Sequence, residues 1–212
     1  MNLSDFFSIE NLTILASNLA VIVFSLITMY KAFTKKWNEM QKKDSHNIKG
    51  EVKRQSEVDI RITKKLEEVK ETLNADRVQI YDFHNGIRYA NGRSALKTTC
   101  TYETCRYGVK HYQNSLSGIP LSCIPNFISA LLNDGEIECK NIEELRETMP
   151  ATYSFKKGMQ VKSFYDTVFH NEEGEIVGFI AIQFCTNKYN VNKEVVQKLV
   201  GYVESELSSL AK

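Results

Sequence analysis

Residues 161–185 read VKSFYDTVFHNEEGEIVGFIAIQFC, two β-rich runs separated by the polar, glycine-containing HNEEG of residues 170–174. Runs of β-branched and aromatic residues on either side of such a linker predict an antiparallel hairpin, with strands over 161–169 and 175–185. The second run carries Ile176, Val177, Phe179, Ile180, Ala181 and Ile182 almost unbroken, leaving no polar face for water. It therefore predicts a central strand covered on both sides. Downstream, Asn192 precedes Val195, Val196, Leu199, Val200, Val203, Leu207 and Leu210 at helical spacing. A side-chain amide there accepts from the first free backbone N–H groups, so a capped amphipathic helix follows the hairpin.

Upstream, residues 77–83 (RVQIYDF) alternate. Val78, Ile80 and Asp82 take one face and Gln79, Tyr81 and Phe83 the other, a strand closed by the turn residues His84, Asn85 and Gly86. A second strand is expected around residues 95–102, a break through 112–120, and short helices over 125–133 and 141–148. The order helix, strand, strand, small helices, hairpin, helix predicts an α+β domain over residues 75–212, an antiparallel sheet with helices packed on one face.

Residues 34–74 are highly charged and lack proline, with Ile48, Val52, Ile62, Leu66, Val69 and Leu73 at alternating steps of three and four. The heptad is strong only over residues 62–73, because Gln55 and Asp59 fall in the same seam. Residues 31–74 thus predict a basic juxtamembrane segment and a coiled-coil stalk. Ile62, Leu66, Val69 and Leu73 would pair two copies, helped by Val196, Leu199, Val203 and Leu207; a solvated single helix is the alternative. Before it, residues 11–30 (NLTILASNLAVIVFSLITMY) run without a charge. Twenty residues at 1.5 Å each match a hydrocarbon core of about 30 Å, so a transmembrane helix is expected. Lys31, Lys35, Lys36, Lys42 and Lys43 follow it, whereas only Asp5 and Glu10 precede it. That asymmetry places residues 1–10 outside the cell and the domain in the cytoplasm, anchored in the inner membrane. The same lysines are suited to anionic lipid headgroups.

The net charge of +1 excludes little by itself. From Asp76 onward, fifteen basic residues stand against sixteen acidic, so the domain has no basic excess for nucleic acid. Five cysteines, Cys100, Cys105, Cys123, Cys139 and Cys185, are odd in number and lack a C-x-x-C pair; reduced thiols fit a cytoplasmic domain. No phosphate-cradling glycine loop, H-E-x-x-H or paired catalytic carboxylates occur, and no metal or cofactor is expected.

Gly158-Met159-Gln160-Val161-Lys162-Ser163, the strand after it, the turn at residues 172–175 and residues 176–182 (IVGFIAI) resemble the corresponding run of GAF domains, relatives of PAS domains. Residues 75–86 (ADRVQIYDFHNG) are similar to the first GAF strand. Together with Asn91-Gly92-Arg93-Ser94, Lys97 and Cys100-Thr101-Tyr102-Glu103 they look like small GAF-like proteins of bacteriophage genomes. The resemblance spans about residues 62–210. It implies a ligand-binding and dimerisation module with a cavity between the sheet and its connecting loops. Signatures for cyclic nucleotides and for bilins do not carry over, since Asn187-Lys188-Tyr189 lies too late and Cys105 with His111 matches poorly.

The function expected is a sensor or scaffold module that forms a homodimer and binds a small ligand or a partner protein. One alternative is a thiol-dependent redox enzyme of the GAF-type methionine sulfoxide reductase kind, using Cys100, Cys105 and Cys123. Another is a phage membrane protein acting in lysis or host takeover. No catalytic residue is assigned: a nucleophile from Cys105 or Cys123 with His111 lacks a group to orient the histidine. The candidate ligand contacts are His84, Asn85, Arg93, Tyr102 and Glu103, a ring, two amide-bearing or cationic groups, a phenol and a carboxylate near strand ends beside many aromatics. Glu103 has Arg93 or Arg106 as its expected partner, in a pocket floor or an exposed ion pair.

Overall fold

The computed structural model describes residues 9–210, with side chains described at residues 13, 16–37 and 48–210. The expected external segment, residues 1–10, lies almost wholly outside the described residues, as do the side chains of Lys42 and Lys43. Helix α1 spans Ile9–Leu73. By its contacts the chain divides into Met1–Arg54 and Gln55–Lys212.

In the first unit, Ala16–Trp37 is long and apolar enough to cross a membrane; of the expected 11–30, the side chains of residues 11, 12, 14 and 15 lie outside the described residues. Two of its hydroxyls are internally satisfied: Ser25 Oγ donates to the carbonyls of Val21 and Ile22, and Thr28 Oγ1 to those of Phe24 and Ser25. Such bonds make hydroxyls tolerable in an apolar helix. Phe33 and Trp37 stack at its C-terminal end, 6.0 Å apart.

The second unit is built on six antiparallel strands in the order β3-β2-β1-β6-β5-β4. They are β1 (Arg77–Arg88), β2 (Ser94–Cys105), β3 (Ile119–Pro120), β4 (Glu136–Cys139), β5 (Ser163–His170) and β6 (Ile176–Phe184). The expected hairpin is β5–β6, and β6 is central, paired with β5 on one side and β1 on the other. Helix α2 (Pro125–Asp134), a one-turn α3 (Leu145–Thr148) and α4 (Pro150–Gly158) connect β3 to β5; α5 (Lys193–Ser208) follows β6. Asn192 caps α5, its side chain accepting from the N–H groups of Glu194 and Val195.

The alternation of β1 sorts two cores. Val78 and Ile80, with Tyr165, Phe169, Ile180 and Ile182, pack under α1 and α5. Tyr81, with Cys100, Phe164, Phe179 and Ala181, packs under Phe127, Ile128 and Leu131 of α2. The two long helices thus share one face, and the short connecting helices cover the other.

Two expectations need correction. His84, Asn85 and Gly86 do not form a turn; β1 continues through them to Arg88, and the reversal lies at residues 89–93. Gly86 allows this, since a Cβ there would sit 2.4 Å from the Ala95 carbonyl oxygen. The seam residues Ile62, Leu66, Val69 and Leu73 are at most 2% exposed and pack with Val196, Leu199 and Val203 inside the same chain. Their stripe is that of a helix lying on its own sheet, which leaves none of these side chains for a second copy.

Candidate functional site

Three strand positions that face the second core carry polar side chains: Arg77 and Gln79 on β1 and Gln183 on β6, all at most 1% exposed. They converge on Glu103 of β2, directly opposite Gln79 in register and with its side chain fully buried. Gln79 Nε2 donates to Glu103 Oε1 at 2.8 Å, and Gln183 Nε2 and the Tyr81 hydroxyl donate to Gln79 Oε1 at 2.9 and 3.0 Å. Arg77 Nε lies 3.4 Å from Glu103 Oε1. Its terminal nitrogens donate to Gln183 Oε1 at 2.8 Å and to the Lys110 carbonyl at 2.7 Å, and its guanidinium stacks over Tyr112, 4.9 Å from the ring centre. Glu103 also accepts the N–H groups of Tyr112 and Gln113 and faces His111 Nδ1 at 3.2 Å. A charge pair this deep is tolerable only because nearly every polar atom is partnered.

Tyr81 connects this network to a chamber between the sheet and α4. Tyr81, Thr98, Ile119, Ile124, Phe127, Thr152, Phe155, Lys156 and Phe179 enclose about 10 Å³. Aromatic contacts set the walls: Tyr81 stacks on Phe179 at 4.5 Å, and Phe127 meets Phe179 edge-on at 5.7 Å. Beside them Lys156 Nζ donates to Asp166 Oδ2 at 2.6 Å and lies 4.1 Å from the Phe164 ring centre. Burial pushes the Asp166 carboxyl above its ordinary range, against the pull of Lys156. Thr152 Oγ1 and Asp166 Oδ1 are buried without a hydrogen-bond partner.

The five candidate contacts do not meet. His84 Nε2 bonds Thr99 Oγ1 at 2.8 Å, where Thr99 also receives the Gly118 N–H. Asn85 pairs with Leu96 along the strand, and Arg93 stacks on Tyr89 at 5.0 Å. Tyr102 points to the opposite face from Glu103 and donates to Asp59 of α1 at 2.6 Å. His84 and the partner of Glu103, Gln79, are five residues apart on β1, roughly 16 Å at 3.3 Å each. Glu103 takes Arg77 as its cation, while Arg106 faces Asp76 at 3.6 Å and Asn74.

The sequence carried a signal for the missed residues. Arg77, Gln79, Asp166 and Gln183 are polar residues at inward positions of otherwise apolar strands, which marks a buried network. Lys156 and Thr152 sit on α4, a helix not expected from the sequence, so nothing placed them.

The cysteines are unpaired, Cys123 exposed and Cys105 half-buried. Burial pushes the thiols of Cys100, Cys139 and Cys185 up, and Cys105 is raised to about 11 by burial and by Glu103. A nucleophilic thiol is shifted the other way.

No family model matches the chain, and no curated protein matches it. Solved structures do. The blue-light absorbing form of the Thermosynechococcus elongatus PixJ GAF domain superposes with a TM-score of 0.56 at 10% identity, over 74% of this chain and 86% of that one. The phycoerythrobilin-bound GAF domain of a cyanobacterial phytochrome gives 0.55 at 18% identity, over 78% and 93%. The red light-absorbing state of NpR6012g4, a red/green cyanobacteriochrome, gives 0.55 at 15% identity, over 72% and 94%. At such identities the likeness is one of architecture: residues 55–212 adopt a GAF-like α+β fold.

Proposed function

We propose that this chain is a membrane-anchored GAF-like sensor module whose input is a small polar ligand at the chamber under α4. The observation that carries the reading is the pair of buried, unpartnered atoms, Thr152 Oγ1 and Asp166 Oδ1, beside the Lys156–Asp166 ion pair. Leaving a buried polar atom unpaired costs about 1–3 kcal/mol, a cost that a ligand with a matching donor and acceptor removes. At about 10 Å³ the chamber is closed to anything much larger than one water. Ligands of drug size occupy roughly 300–1,000 Å³, so a chromophore like that named for the phytochrome neighbour is not the ligand we propose. Entry of a small metabolite requires α4 to move away from β5, which is how occupancy is passed to the surface.

The anchor lies within Ala16–Trp37, with the domain in the cytoplasm and Lys31, Lys35 and Lys36, in the last two turns of that stretch, reaching out to anionic headgroups. The homodimer forms through the helix before Gln55, where Ile48 and Val52 are 58% and 62% exposed at i, i+4 spacing. The raised thiols favour this sensor over a redox enzyme.

Native mass spectrometry of the detergent-extracted full chain tests the reading. A retained small molecule is expected, lost in Asp166→Asn and in Thr152→Val while circular dichroism stays unchanged. A protein free of bound species, and whose melting temperature no member of a metabolite panel raises, leaves only a scaffold.

A further inference from the structure

Glu103, Cys105 and His111 each offer one ligand atom, and these atoms all lie within 4.8 Å of one another. From this geometry we infer that the end of β2 and the loop behind it form a zinc site, with Glu103 Oε2, Cys105 Sγ and His111 Nδ1 as protein ligands and a water in the fourth position.

Glu103 and Cys105 are two apart on β2, and residues 106–110 return the chain so that His111 stands over them. His111 Nδ1 and Glu103 Oε2 are 3.2 Å apart. Two ligands each about 2.0–2.1 Å from a tetrahedral ion are separated by roughly that distance. The ion therefore sits to one side of the line joining the two atoms, in place of the hydrogen bond between ring and carboxylate, and the thiol turns in by a side-chain rotation.

The support around the ligands is already built. Glu103 is held by the N–H groups of Tyr112 and Gln113 and by Gln79, so Oε2 is fixed before any ion arrives. Ligating carboxylates in metal sites are oriented in this way. Arg77 stands at 3.4 Å from the other oxygen, Oε1, and its terminal nitrogens are turned to Lys110 and Gln183. His111 is 68% exposed, which gives the ion a path in and its water room.

The donor set chooses the metal. A thiolate, an imidazole and one carboxylate suit zinc; magnesium and calcium take oxygen ligands. On binding, the thiol proton passes to solvent, the imidazole carries its hydrogen on Nε2, and the thiolate and carboxylate balance the two charges of the ion. Because Tyr112 donates to the Gly158 carbonyl at the end of α4, a clamped 106–112 loop steadies the wall of the chamber.

The test uses the full chain in detergent, stripped with a chelator and titrated with Co²⁺ and then Zn²⁺. One Co²⁺ per chain is expected, with visible ligand-field bands of a tetrahedral site and a near-ultraviolet thiolate-to-cobalt band, both bleached by Zn²⁺ but not by excess Mg²⁺. Cys105→Ser removes the thiolate band. His111→Ala, a change at an exposed side chain, weakens binding by more than roughly tenfold, the loss that even supporting residues of metal sites cause. Cys123→Ser leaves both signals in place. The proposal is overturned if no thiolate band forms, if it survives Cys105→Ser, if it disappears with Cys123→Ser, or if His111→Ala binds as well as the parent.

Discussion

Asp76, the residue before β1, receives the N–H groups of Cys185 and Thr186 at 2.7 Å and of Asn187 at 2.9 Å. The Thr186 hydroxyl adds a fourth bond at 2.9 Å, so one carboxylate fixes the exit of β6. Burial raises its pKa, but these bonds outweigh burial and hold the carboxyl below its ordinary value. A depressed carboxyl stabilises the fold above its unfolded pKa, about 3.9, and that contribution is lost as pH falls through the lower folded value. Asp76→Asn should therefore cost about 2 kcal/mol at pH 7, since bonds to a charged group contribute about 1.5–3. The gap to the parent should close below about pH 4; urea melts across pH measure it, and a gap independent of pH refutes the assignment. Gly178 makes a steric prediction. A Cβ there would lie 2.2 Å from the Tyr81 carbonyl oxygen and 2.5 Å from the Phe169 ring, between two strands that cannot separate. Gly178→Ala should lose about 3 kcal/mol or more in denaturant unfolding.

Among the elements, the helical stripe on α1 gives the sharpest contrast between pattern and partner. Leu66 is fully buried under α5 and the sheet, so Leu66→Ala should cost about 2–5 kcal/mol. Leu66→Asp should unfold the domain, seen by circular dichroism, instead of releasing folded monomers in sedimentation. Folded monomers would restore the intermolecular seam. The β5–β6 hairpin and α5 were legible because their signals are local: a polar turn, an unbroken apolar run and an asparagine cap. The stripe over residues 62–73 was legible as amphipathic, but periodicity fixes only which face is apolar. A coiled-coil partner and the chain's own sheet ask for the same spacing. The turn at His84 was misplaced because Gly86 serves a close strand contact, and glycine marks both cases. The chamber and the Arg77–Glu103 network were not legible as sites, since they join β1, β2, β5, β6 and α4 across long separations in sequence. Only the polar residues inside apolar strands hinted at them.

For the whole molecule the governing contrast is between Met1–Arg54 and Gln55–Lys212. Among the described residues the second unit carries both hydrophobic cores, whereas the first exposes Leu19, Val21, Ile22, Phe24, Leu26 and Ile27 at 47–70% each. Apolar side chains so displayed along one helix are stable only in lipid or against a partner. The full chain should therefore sediment with membranes, resist alkaline carbonate and need detergent for release, while residues 55–212 expressed alone should be soluble and folded. The orientation proposed above rests on charge: Lys31, Lys35 and Lys36 lie in the last two turns of Ala16–Trp37, and residues 1–15 carry no lysine or arginine. A reporter after Lys212 should thus be active in the cytoplasm, and protease added outside intact cells should leave the domain whole. Changing those three lysines to glutamine should lower the share of correctly oriented molecules. Digestion of the domain from outside, with the lysines intact, would reverse the topology and expose all five cysteines to an oxidising compartment.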